Sequence, residues 1–210
     1  MTKQQLIFIL LCLCIASSMA LIRMYFKRRR YDLLINTLKQ KDFEKLDKLL
    51  SSKVTQFFFA PFNIDYLRLN SAIMRNDKEM IAKCFEEFDR HRLNKKQKEE
   101  VYMKGFNYFI YEKDYDNAKK YLDKVNTLDI EKMKQEAECI YDVYALKGYK
   151  YLDFLLEETE KLDDIYKGVN EFLISMMYKN KGDDTLSQKY NELSKKHMKL
   201  LDKHITDNTK

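Results

Sequence analysis

The chain has 210 residues, 34% of them charged, with one proline, four glycines and a formal net charge of +6. So few backbone breaks, and no sustained strand alternation bounded by hairpin signals, exclude a β-rich fold and point to helix throughout. Residues 1–30 hold Lys3, Arg23, Lys27, Arg28, Arg29 and Arg30 without one acid, so residues 31–210 set 33 basic side chains against 33 acidic ones. That neutral body argues against binding to a phosphate backbone, and no nucleic-acid partner is expected.

Leu6 to Ile22 is a 17-residue run without a charge. As a helix it spans about 26 Å, a little less than a ~30 Å hydrocarbon layer, and Met24, Tyr25 and Phe26 extend it if Arg23 snorkels outward. The sequence therefore predicts a transmembrane signal-anchor helix over 6–26, behind a short extracytoplasmic N-terminus, 1–5. Residues 27–30 form a basic juxtamembrane segment. The membrane-interface residues are Arg23, Tyr25, Phe26, Lys27, Arg28, Arg29 and Arg30. Aromatic rings favour the interface, and the basic cluster favours the cytoplasmic side and anionic headgroups. The expected location is a cell membrane, single-pass, with the C-terminal domain in the cytoplasm. Ala16 and Ala20 are spaced for self-association of membrane helices. The alternative is a signal peptide cleaved after Ser18-Met19-Ala20, giving an exported cell-surface protein.

Beyond residue 30 one short phrase returns five times: Lys41-Asp42-Phe43, Asn76-Asp77-Lys78, Lys113-Asp114-Tyr115, Lys147-Gly148-Tyr149 and Lys181-Gly182-Asp183. Taking Asp42, Asp77, Asp114, Gly148 and Gly182 as anchors, the steps are 35, 37, 34 and 34 residues. A period in that range marks stacked helical hairpins, each burying its apolar face on a neighbour. First helices are expected near 29–40, 61–75, 96–112, 130–146 and 164–180. Second helices follow each anchor, where apolar residues recur at spacings of three and four: Phe43, Leu46, Leu49 and Leu50, then Ile81, Cys84, Phe85 and Phe88. Pro61 suits a first helical turn, and Asp129 and Asp163 suit caps or first-turn acids. Gly148 and Gly182 are expected to supply left-handed backbone at their turns. Phe57–Ala60 reads as a loop whose apolar side chains need two surfaces. The last helix, 184–204, reads as a polar cap facing water, with a frayed tail at 205–210. The fold class is all-α: an N-terminal transmembrane helix followed by an α-solenoid of about five hairpins over 31–204.

Asp114-Tyr115-Asp116-Asn117-Ala118 resembles the inter-helix turn of the tetratricopeptide repeat family, with Ala118 where the two helices touch. Lys104-Gly105 and Tyr108 are similar to the small residue and aromatic of that family's first helix. The period covers 31–204. By residue the likeness lies in the third repeat; elsewhere the small position is Leu46, Ile81, Leu152 and Leu186, and the closing proline is missing. The resemblance implies a superhelix whose first helices line a concave face that holds a protein or peptide partner. On the first helix of the third repeat, Lys104, Tyr108 and Tyr111 are the expected groove residues.

Chemistry has little to stand on. His91, His197 and His204 lie near helix ends or on the polar final helix, and no Cys/His spacing forms a zinc site. There is no Gly-rich phosphate loop and no serine elbow. No catalytic, metal or cofactor residues are assigned, and an enzyme is not expected. Cys84 and Cys139 lie in apolar stripes and read as buried free thiols. The composite expectation is a membrane-anchored interaction scaffold.

Overall fold

A computed structural model describes residues 3–208, with side chains at Gln4 and over 14–207. The described residues form eleven helices and no strand, so the fold is all-α. They fall into two compact units, Met1–Arg92 and Leu93–Lys210.

The first unit holds α1 (Lys3–Lys39), α2 (Phe43–Leu50), α3 (Lys53–Phe58), α4 (Pro61–Arg75) and α5 (Lys78–Arg90). Its core gathers Leu34, Leu46, Leu50, Phe59 and Ile64. Arg75 ties α4 to α2 through Asp47 at 2.9 Å and lies over the Phe43 ring. The second unit holds α6 (Lys95–Tyr111), α7 (Tyr115–Asn126), α8 (Glu131–Tyr144), α9 (Leu152–Glu160), α10 (Asp164–Lys181) and α11 (Asp184–Asn208). A capping box between Asn94 and Gln97 starts α6, satisfying two otherwise orphaned N–H groups. Gly105 lets the Tyr121 ring lie directly on the α6 backbone, where any Cβ would collide with it, and Ala118 is fully buried. A further core cluster joins Cys139, Val143, Leu152, Leu155, Ile174 and Met177.

The recurring phrase has a physical cause. Lys41, Asn76, Lys113 and Gly182 each adopt a left-handed backbone, with φ of 57°, 55°, 59° and 86°. The next residue is always aspartate. Its N–H closes the ending helix, donating to Thr37, Ala72, Phe109 or Tyr178 carbonyl oxygen at 2.9–3.2 Å. Its carboxylate then caps the helix that follows, accepting from the N–H of Lys45, Met80, Asn117 or Leu186. One residue thus satisfies orphan groups of two helices at once.

Several expectations are corrected. The left-handed seat of the fourth turn is Lys147, φ 54°, rather than Gly148. At Gly148 a Cβ would instead meet the Asp142 carboxylate. That turn is long, and it is held by Asp142 accepting from the Lys150 N–H and by Asn180 donating to the Val143 and Gly148 carbonyls. Asp163 does stand at the N-cap of α10, though without a side-chain capping bond, whereas the N-cap position of α8 is Ile130 rather than Asp129. Half of Phe57–Ala60 is helix rather than loop: Ser52 caps α3, Thr55 is buried within it, and the helix runs through Phe58, leaving Phe59 and Ala60 extended. The last helix is not simply a cap facing water, since Ser194 and His197 are buried; it also continues through Asn208, over part of the expected tail.

Among the described residues no helix is long and apolar enough to cross a membrane. The expected span over 6–26 is therefore unsupported by them. Side chains 5–13 lie outside the described residues, and from Cys14 only nine residues precede Arg23. Nine helical residues cover about 14 Å, half a hydrocarbon layer.

Candidate functional site

The expected interface residues all lie on α1, a single helix that runs without interruption from the apolar run into the first hairpin. Tyr25 and Phe26 meet edge to face at 5.7 Å, and Arg29 lies over Tyr25. Arg28 is exposed. Arg23, Lys27 and Arg30 recur at helical spacing and face the α3 segment. The Arg23 guanidinium sits 5.3 Å from the Phe57 ring centre and the Lys27 ammonium 5.7 Å from that of Phe59. Arg30 is partly buried and donates to Thr55 Oγ1, Ser52 Oγ and the Leu49 carbonyl. Its charge holds the end of α2 against α3.

Lys104, Tyr108 and Tyr111 share one face of α6 at i, i+4 and i+7. Tyr111 is 82% exposed, Lys104 and Tyr108 are half-buried, and Tyr108 packs edge-on against Phe109 at 5.1 Å.

The second unit also contains a groove that the sequence did not point to. It has a volume of about 420 Å³ and lies among α8, α9 and α10. Cys139, Leu155 and Leu173 line it, while Phe154, Leu162 and Val169 stand large and exposed around it. Lys132, Glu136 and Glu158 bring charge to it. Two of the helices that line it differ in length: α9 has 9 residues and α8 has 14. At 1.5 Å per residue α9 spans about 14 Å against about 21 Å, a difference of about a third. The Cys139 thiol is pushed up to about 12, chiefly by burial and then by the Asp142 and Glu136 carboxylates. A thiol so placed stays protonated at neutral pH and does not act as a nucleophile. Apolar side chains make up most of the groove's exposed lining.

A smaller cavity of about 360 Å³ lies between α4 and α5, beside an Arg68–Asp65 ion pair of 2.6 Å. Cys84 lines it, its thiol raised to about 11 by burial.

The buried pair Glu171 and His197 also escaped the sequence reading. They are 3% and 5% exposed, and His197 Nδ1 stands 2.8 Å and 3.0 Å from the two carboxylate oxygens. The helices approach closely here: a Cβ on Gly168 would meet Met198 Cγ at 2.8 Å, and Ser194 Oγ donates to the Gly168 carbonyl at 2.7 Å. The partners lie 26 positions apart, so no local motif announces them. Among the described residues no group of three His, Cys, Asp or Glu side chains could hold a metal ion.

Comparisons with protein-family models, with curated proteins and with solved structures find no match to this chain.

Proposed function

We propose that the chain is a membrane-tethered adaptor whose helical hairpins hold an apolar segment of a protein partner. The groove among α8, α9 and α10 carries this reading. Its 420 Å³ falls within the usual range for a binding cleft, and three large apolar side chains stand exposed around it. The partner supplies one or two apolar anchors, and Lys132, Glu136 and Glu158 orient its polar flanks. Lys104, Tyr108 and Tyr111 form a second contact on α6. The tetratricopeptide-like character is supported by the Gly105–Tyr121 contact and the buried Ala118 in the third hairpin.

The tether is supported by the continuity of α1 and by the exposure of Ile15, Met19, Leu21, Ile22 and Met24, each over half accessible. Confinement to a surface raises the effective concentration toward other membrane proteins. Two experiments test the proposal. Alkaline carbonate extraction should leave the full chain in the membrane pellet; a soluble product with Leu21 at its N-terminus would replace the tether with export. A photo-crosslinking residue at Phe154 should give one defined product in cells, lost when Val169 is changed to Asp. Equal labelling with and without Val169→Asp would remove the groove from the reading.

A further inference from the structure

We propose that α3 is a second membrane contact, an interfacial foot that sets Phe57 and Val54 among anionic headgroups beside the tether. This rests on the tether reading and extends it from one helix to a surface.

The contacts of α1 fix where α3 sits. Arg30 binds the Ser52–Thr55 start of α3, Lys27 lies over Phe59, and Arg23 lies over Phe57. Moving toward the N-terminus of α1 therefore moves toward the aromatic end of α3. Phe57 is held beside Arg23, the first charged residue after the apolar run. A bilayer that took up that run would have its headgroup layer at this level, so Phe57 would lie within it.

The side chains suit that place. Phe57 is 66% exposed although Phe58 and Phe59 beside it pack inward, and Val54 shares its face one helical turn earlier. An aromatic side chain is costly to leave in water and favourable at a bilayer interface. The charge agrees as well. Residues 48–64 contain Lys48 and Lys53 and no acid, and residues 1–31 contain six basic side chains and no acid. Each basic residue near an anionic surface contributes about 1 kcal/mol. A foot of this kind would fix the tilt of the first unit on the bilayer, because α1 alone leaves rotation about its own axis free.

The chain has no tryptophan, so a single introduced one is an unambiguous reporter. The full chain is reconstituted in phosphatidylcholine–phosphatidylserine vesicles carrying spin-labelled lipid, as Met19→Trp, Phe57→Trp, Val54→Trp and Gln40→Trp in turn. Met19→Trp reports the tether and should be quenched by a label at mid-chain. Phe57→Trp and Val54→Trp should shift to the blue and be quenched by a label near the headgroup. Gln40→Trp, just past the end of α1 and roughly 25 Å from Arg23, should be quenched by neither. Quenching at Met19 without quenching at positions 57 and 54 would overturn the foot and leave the tether standing. No quenching at any position would overturn both. A blue shift at Phe57 without lipid quenching would mean that protein, a second copy or another partner, covers the patch, and it too would overturn the proposal. Equal quenching in pure phosphatidylcholine would overturn the role of anionic lipid.

Discussion

The Glu171–His197 contact gives the sharpest test of the packing between α10 and α11. Both side chains are almost fully buried, and the imidazole nitrogen faces both carboxylate oxygens within 3.0 Å. Replacing Glu171 by Leu leaves a buried imidazole without its acceptor, and replacing His197 by Phe leaves a buried carboxylate without its donor. Either single change should cost about 3–5 kcal/mol, the range for breaking a buried pair from one side. The double variant removes both polar groups and substitutes apolar volume, so its cost should be near zero, with Gly168 still allowing close approach. Hydrogen exchange of the full chain in detergent micelles, read on peptides from α11, reports local opening free energies. Each single variant should exchange roughly 150- to 5000-fold faster and the double variant near the parent rate. Single variants within threefold of the parent, or a double variant as fast as the sum of the singles, would show that the pair is not a coupled buried contact.

Lys113 occupies a left-handed backbone that disfavours a Cβ. Lys113→Gly should therefore raise stability by roughly 0.5–1 kcal/mol after the entropy of the unfolded glycine is deducted, seen as a higher Tm; a lower Tm would refute the assignment of the strain. Gly105→Ala should destabilise the second unit by about 1–3 kcal/mol in urea titration, because the added methyl meets the Tyr121 ring; Gly105→Ala with Tyr121→Leu should recover part of the loss. The Cys139 thiol, raised from 9.0 to about 12, binds its proton more tightly when folded. Its contribution to stability is thus complete below about pH 9 and is lost as pH rises toward about 12, so Cys139→Ser should flatten the alkaline limb of a Tm–pH profile. Ala118→Lys should abolish the cooperative melt, since a charge would enter a fully buried contact between α6 and α7.

What could be read from the amino acids alone was whatever is decided within about five residues. The turns were legible because Asp42, Asp77 and Asp114 cap helices through atoms three positions away. Four of the five first-helix limits were legible because a left-handed residue lies within two positions of the helix end: Lys41, Asn76, Lys113 and Gly182. Gly148 misled for the same reason: glycine is the usual occupant of such a seat, yet here it answers a steric demand from Asp142, and a lysine takes the strained angle. What escaped was set by partners far along the chain. The helix over Lys53–Phe58 is secured by Arg30, 25 positions from Thr55, so a triple phenylalanine in isolation looks like loop. His197 looks like surface on a polar helix until Glu171 stands opposite. The groove gathers side chains from three helices, Lys132 to Leu173, and no local pattern brings them together. The hairpin scaffold is encoded locally and redundantly, whereas the groove is assembled from distant positions and has no period by which to find it.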